Sequence, residues 1–336
     1  MPGIIFVVQH CFTLYNGISA MKIVFMGTPA FATPCLEVLL EAGHEVVGVF
    51  CAPSHAGSRR GRLELPSIKL AAQHHALPVW QPSTLRDVSV EKTLTALSPE
   101  TIVVAAYGKL LPRSILEIPS RGCLNIHPSL LPLYRGPSPV ITAILEGDEK
   151  TGVTIMVLGR GMDSGPILSQ ETENIKNEDT AETLTERLFS RGSRLLIKTL
   201  EEWVSGKIEA DPQDERKATQ TRLISKKDGR INWRLTALQI ARQVRAYNPW
   251  PSAYTHWKGK ELKITESQPR TDEDIRAPGM SREIGCVVGL SRKRAGVITA
   301  KGILEIQKVQ IEGRRLLPIE EFLVGQRDFL GSFLPS

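Results

Sequence analysis

From Met21 onward the chain repeats one unit: a short Val- and Ile-rich run, a turn, then a segment with helical spacing. That alternation constrains the fold more than any other feature. Strands joined in this way cannot pair through hairpins and need crossovers, normally helices, that cover a parallel sheet. Residues 22–26, 46–50, 102–106, 124–126 and 153–158 read as buried strands. Residues 32–42, 66–75, 89–97 and 139–145 read as the helices between them, with Leu36, Leu39 and Leu40 on one side of the first and Val140 and Ile144 in the last. The fold class expected is α/β, a Rossmann-like doubly wound, mostly parallel sheet with right-handed crossovers. Ligands of such sheets bind outside the carboxyl ends of the strands.

The rhythm then changes. Residues 180–204 are helical, with Leu184, Leu188, Leu195 and Trp203 inward and Gly192 as the expected interruption. Residues 207–223 are polar, contain Pro212 and lack periodicity, which reads as a linker. One helix at 235–246 follows, then closely spaced strand-like runs at 252–257, 262–266, 286–290, 296–299 and 303–309, the last two turning at Lys301-Gly302. This pattern suggests a small OB-like β-barrel as a C-terminal domain. A length of 336 residues accommodates two cores. The boundaries expected are an extension at 1–20, a first domain at 21–206, the linker at 207–225 and the barrel at 226–336. The extension has apolar Ile4-Ile5-Phe6-Val7-Val8 but no basic stretch before it and no cleavage site after it. It reads as a poorly ordered appendage and not as a signal peptide.

Charge separates the two halves. Residues 1–206 carry 18 Lys+Arg against 20 Asp+Glu, whereas 207–336 carry 24 against 16, a net +8. The second half is basic enough for a polyanionic partner such as nucleic acid, although a merely Lys-rich soluble surface fits charge alone about equally well. No apolar run reaches the ~18–20 residues of a membrane span, and no basic amphipathic helix offers a broad apolar face, so a membrane role is disfavoured. Five scattered cysteines without a CxxC pair argue against a disulfide scaffold or structural zinc and fit a reducing, cytoplasmic setting.

The loop after the first strand, Met26-Gly-Thr-Pro29, has one glycine, and Pro29 has no N–H. A dinucleotide pyrophosphate needs several backbone donors there, so that cofactor is disfavoured. The informative stretch is 123–139. Asn125 and His127 lie two apart on one strand and project to the same side, and Pro128 ends the strand just where a site is expected. An amide donor beside an imidazole suits stabilisation of an oxyanion. A strand-end Asn capping a turn and a His bonded to a backbone carbonyl satisfy the same pattern, and for the pair alone that reading is the stronger. Asp163, in Gly159-Arg-Gly-Met-Asp-Ser-Gly165, follows another strand, and its flanking glycines allow a carboxylate to turn back over the site. A turn Asp between glycines is also common. If it reaches His127, the carboxylate is expected to hold the imidazole charged.

Asn125-x-His-Pro-Ser-Leu-Leu-Pro132-x-x-Arg135-Gly136, followed by Asp163 in a Gly-x-Asp-x-Gly loop, resembles the folate-dependent formyltransferases. Phe25-Met-Gly-Thr-Pro29, Gly43-His-Glu-Val-Val-Gly-Val-Phe50, Ala106-Tyr-Gly108, Gly152-Val-Thr-Ile-Met156 and Ala246-Tyr-Asn-Pro-Trp-Pro251 extend the likeness over 21–336. The resemblance implies catalysis by Asn125, His127 and Asp163, with no metal and with 10-formyltetrahydrofolate as co-substrate, lined by Ser129, Leu130, Leu131 and Pro132. Asn248-Pro-Trp-Pro251 and the basic C-terminal domain point to the members that formylate initiator methionyl-tRNA. The alternative acceptor is another amine, on a nucleotide sugar or purine precursor. The likeness further implies RNA contacts from the 53–65 loop, which holds Arg59, at the matching position, with Arg60 and Arg62. Lys226, Lys227, Arg230, Arg242, Arg245, Arg292 and Arg294 are expected to give the C-terminal barrel its electrostatic contact with the RNA. Family members commonly read Arg-Pro-x-Gly-Arg-Gly in that loop, whereas this chain reads Ser54-His-Ala-Gly-Ser-Arg-Arg-Gly61: the charge survives, the pattern does not. Arg135 fixes its loop or meets phosphate, Trp250 and Trp257 read as core more than as base-stacking residues, and the expected state is a monomer.

Overall fold

The apolar runs fold into strands in a computed structural model that describes residues 20–56, 63–271, 283–291 and 293–336. They are β1 (Lys22–Gly27), β2 (Glu45–Phe50), β3 (His55–Ala56), β4 (Leu63–Glu64), β5 (Val79–Trp80), β6 (Thr101–Ala105), β7 (Cys123–His127), β8 (Lys150–Val157) and β9 (Ile167–Asn174). The helices between and after them are α1 (Thr33–Glu41), α2 (Ser67–His74), α3 (Val88–Leu97), α4 (Arg113–Leu116), α5 (Pro139–Glu146) and α6 (Ala181–Val204). The main sheet runs β5-β2-β1-β6-β7-β8-β9, and β3 with β4 forms a separate ribbon. β1 sits centrally, parallel to β2 and to β6. Its alternating side chains divide the core: Ile23 and Phe25 pack with Leu36, Leu39, Leu196 and Leu200 on one face. Val24 and Met26 pack with Val90, Leu94 and Ile115 on the other.

Two features differ from the sequence reading. β8 runs antiparallel to β7, and β9 antiparallel to β8, so the sheet is parallel only from β5 to β7. β9 is absent from the sequence reading because Ile167-Leu-Ser-Gln-Glu-Thr-Glu-Asn174 is mostly polar. Such a strand belongs at an antiparallel edge, where one face meets water. Gly192 does not interrupt α6, which is continuous. A Cβ there would lie 2.7 Å from Ile126 Cγ2 and 2.9 Å from Val153 Cγ2, so the glycine lets α6 lie close on β7 and β8.

The basic half contains α7 (Ala237–Ala246), β10 (Ala253–Trp257), β11 (Lys260–Arg270), β12 (Val287–Ser291), β13 (Arg294–Ile298), β14 (Ile303–Ile311), β15 (Leu317–Pro318) and α8 (Ile319–Gly325). The strands form an antiparallel sheet in the order β10-β11-β14-β13-β12. The C-terminal tail bridges the two edges. Phe333 pairs with Cys286 beside β12, and Thr255 Oγ1 on β10 donates to the Pro335 carbonyl at 2.7 Å. The tail thus covers the β12 edge, while the Ile231 N–H donates to the Tyr254 carbonyl along the β10 edge. Trp257 is 5% exposed and packs edge-on against Phe322 and Phe329, whereas Trp250 is 55% exposed. The two halves share an apolar contact in which Ala246 and Tyr247 meet Val140, Ile144, Leu184 and Leu188. Arg242 donates to the carbonyl of Glu146, the last residue of α5.

Candidate active site

β7 ends at His127, and the loop that follows folds back over it. The imidazole Nε2 lies 3.0 Å from the Tyr134 carbonyl. A carbonyl only accepts, so Nε2 carries a proton. Nδ1 then faces Asp163, whose Oδ2 is 3.7 Å away. The same carboxylate oxygen accepts from the Gly136 amide at 2.8 Å, so imidazole and carboxylate are pinned to one loop. Asp163 holds a φ of +47°, a backbone state that turns its carboxylate back toward the sheet. Asn125, two residues before His127 and 9% exposed, makes no side-chain hydrogen bond among the described residues. Its amide is available to a ligand.

The expectation that Asp163 holds His127 charged is corrected by burial. His127 is 4% exposed, and loss of solvent holds its pKa below 6.5, outweighing the opposing effects of the Asp163 carboxylate and the Tyr134 carbonyl. Burial thus favours the neutral imidazole, in which Nδ1 is the nitrogen left to take a proton.

His44 shows the same burial effect, only partly opposed by Glu100. Its Nε2 is buried without a partner, and its Nδ1 accepts from the Met21 amide. Both histidines bind protons more readily in the unfolded chain than in the folded one. Each therefore contributes stability that is lost as pH falls below about 6.5, by at most ~1.4 kcal/mol per pH unit. His44→Asn keeps an acceptor for Met21 and removes one titration. Its urea midpoint is expected to fall less than the parent's between pH 7.5 and 5.5, and equal slopes would contradict this account.

The residues expected to line a folate divide into two pairs. Ser129 and Leu131 are buried, and the Ser129 hydroxyl donates to the Leu133 carbonyl at 2.6 Å. Leu130 and Pro132 are partly exposed. Thr154 on β8 locks the segment: its hydroxyl donates to the Ser129 carbonyl and accepts from the Leu131 amide.

Arg135 fixes its loop. It is 5% exposed, donates to Gln213 Oε1 at 2.9 Å and grips Glu215 through two bonds of 2.9 and 2.8 Å. The polar stretch 207–223 thus closes the site. Thr219 and Thr221 bond to the backbone of Pro132, Tyr134, Arg135 and Ser138. Gln213 Nε2 donates to the carbonyls of Asp163 at 2.9 Å and Gly165 at 2.6 Å. The sequence reading missed these residues because they have no periodicity, and their partners lie about 50–90 positions away.

Among the residues read as RNA contacts, Arg59, Arg60, Arg62 and Arg292 lie outside the described residues, as do residues 1–19 of the extension. Lys227 is exposed, whereas Lys226 pairs with Glu261 and lies over the Tyr254 ring. Arg245 is half-buried and donates to the Asp179 carbonyl at 3.0 Å, which engages it between the two halves. Among the described residues no group of three His, Cys, Asp or Glu could hold a metal ion, and no helix is long and apolar enough to cross a membrane.

Comparison with known proteins gives two family matches: a formyl transferase model over residues 21–200 and a formyl transferase C-terminal domain model over 223–327. A protein of Chloroflexus aurantiacus named methionyl-tRNA formyltransferase is 47% identical over 306 residues, covering 91% of this chain and 97% of that one. Among solved structures, an N-formyltransferase from Helicobacter canadensis, in complex with folinic acid and dTDP-3-aminofucose, superposes with a TM-score of 0.64. It is 19% identical, over 85% of this chain and 98% of that one. HypX from Aquifex aeolicus in complex with tetrahydrofolic acid superposes with a TM-score of 0.62 at 18% identity, over 92% of this chain. The chain spans about half (47%) of HypX. At such identities the structural likeness is one of fold.

Proposed function

The chain belongs to the formyl transferase family, and on that premise we propose that it moves the formyl group of 10-formyltetrahydrofolate to the α-amino group of initiator methionyl-tRNA. The observation that carries the chemistry is the approach of His127, at the end of β7, to Asp163, in the loop after β8, beside an Asn125 amide that bonds to no described group. A free α-amino group has a pKa near ~8, and the adjacent ester lowers it, so the nucleophile is largely neutral without a strong base. The difficult species is the oxyanion formed when the amine attacks the formyl carbon.

In this reading Asn125 donates an N–H to that oxygen. The growing negative charge and the Asp163 carboxylate together raise the proton affinity of His127. The imidazole then takes the proton leaving the attacking nitrogen, directly or through Asp163, and donates to the oxyanion. Collapse of the adduct breaks the bond between the formyl carbon and the folate nitrogen, and His127 returns the proton to that nitrogen. Every proton is accounted for, and the imidazole ends neutral as it began.

Leu130 and Pro132, the partly exposed members of their segment, offer the apolar contact for a pterin. Residues 21–206 carry the chemistry in this reading and 226–336 the RNA surface, joined through 207–225. The test of the function offers the purified protein charged initiator tRNA and formylated folate. Formylmethionyl-tRNA is the expected product, and its absence at any enzyme concentration would end the reading, whereas formylation of a nucleotide-sugar amine alone would transfer it to the other acceptor.

Phosphate contacts are read by salt. Lys227→Ala is expected to lower the slope of log affinity for tRNA against log salt by roughly 0.7–0.9. Arg245→Ala is expected to leave that slope unchanged and to lower the urea midpoint, because its guanidinium already holds Asp179. A reversed pattern would reassign the two residues.

A further inference from the structure

β7 holds the backbone of the Asp163 loop at its start, where the Leu158 N–H donates to the Cys123 carbonyl at 2.7 Å; nearer Asp163 the loop is held from the polar linker. Gln213 lies at the junction. Its Nε2 bonds to the carbonyls of Asp163 and Gly165, two residues apart, and its Oε1 accepts from Arg135. Arg135 is the neighbour of Tyr134, whose carbonyl holds His127, and of Gly136, whose amide holds the Asp163 carboxylate. One side-chain amide therefore ties the loop that carries the carboxylate to the loop that grips both catalytic groups. Segment 211–221 keeps it there: Asp211 exchanges two backbone bonds with Ile167, and Glu215 holds Arg135.

We propose that Gln213 is a positioning residue of the formyl transfer, which sets the Asp163 carboxylate against His127 without touching either substrate. The proposal rests on the reading of Asp163 given above. A carboxylate displaced by about 1 Å loses on the order of 10²-fold in rate while ground-state binding is spared. Glutamate at this position keeps the acceptor for Arg135 but loses both N–H donors and sets its charge against two carbonyl oxygens. Methionine keeps the length and loses all three bonds.

The test measures kcat, the dissociation constants of folate and tRNA, and the urea midpoint for Gln213→Glu, Gln213→Met, Asp163→Asn and the Gln213→Met/Asp163→Asn pair. Both single Gln213 variants are expected to lose about 10–10² in kcat, with either dissociation constant within about twofold of the parent. Because Gln213 acts through Asp163, adding Gln213→Met to Asp163→Asn should cost almost nothing further in kcat, whereas a general structural role would multiply the two losses. Gln213→Glu, close to isosteric with the parent, keeps the test open if the methionine variant fails to fold. Wild-type kcat in Gln213→Glu, or multiplied losses in the double variant, would overturn the proposal. An unimpaired Asp163→Asn would instead overturn the reading beneath it.

Discussion

Asp163→Asn is expected to lower kcat by two to four orders of magnitude while the affinities for folate and tRNA change by less than about threefold. The substitution is nearly isosteric, and its amide oxygen can still accept from the Gly136 N–H that Asp163 Oδ2 now meets at 2.8 Å, so the loop has no reason to move. What disappears is the negative charge 3.7 Å from His127 Nδ1. Burial already holds that imidazole below its ordinary pKa. Without the carboxylate the imidazole has no compensation for desolvation when it takes up the amine proton, and the oxyanion loses a charged donor at the moment it forms. His127→Ala should fall at least as far, since it removes the proton acceptor itself. Single-turnover rates with both substrates saturating, beside separate binding measurements, give the answer. Rates within twofold of the parent for either variant would remove the triad from the mechanism.

Gly165→Ala is the second large effect expected, and its cause is steric. A Cβ at Gly165 would lie 1.9 Å from the Val157 carbonyl oxygen and 3.0 Å from the Gly159 amide nitrogen, both of them backbone. Neither can yield as a flexible side chain does. The loop must shift, and Asp163 lies only two residues away. Overpacking of this kind costs roughly 1–3 kcal/mol in stability. The displaced carboxylate should remove on the order of 10² in rate as well. Gly159→Ala is the internal control, because a Cβ there meets nothing nearer than 3.6 Å. If the two variants behave alike in kcat and urea midpoint, packing at Gly165 does not position the loop.

The charge arithmetic and the RNA reading meet at different levels of the structure. Lys227 stands in solvent, where a phosphate can approach it. Arg245, also assigned to RNA for its charge, instead bonds to a carbonyl between the two halves. A sequence counts both as one positive charge each. Burial separates them, because a guanidinium already bonded inside a contact is not offered to a polyanion.

Strand and helix rhythm was legible in the chain because it is local: alternating side chains of β1 reach opposite faces, and leucines at helical spacing cover them. The strand-end position of Asn125 and His127 followed from the same two-residue period and from Pro128. Three things required the tertiary structure. β8 and β9 turned antiparallel, since the mostly polar β9 suits an edge that meets water. Burial pushes the His127 imidazole below its ordinary pKa, and the depth of that burial depends on what packs around it. The unpatterned stretch around Gln213 and Thr219 became the brace of the site, since its hydrogen bonds go to residues about 50–90 positions earlier in the chain. Periodicity records which face of an element is buried. It holds no record of which polar groups, distant in sequence, will share a hydrogen bond once water has been excluded from between them.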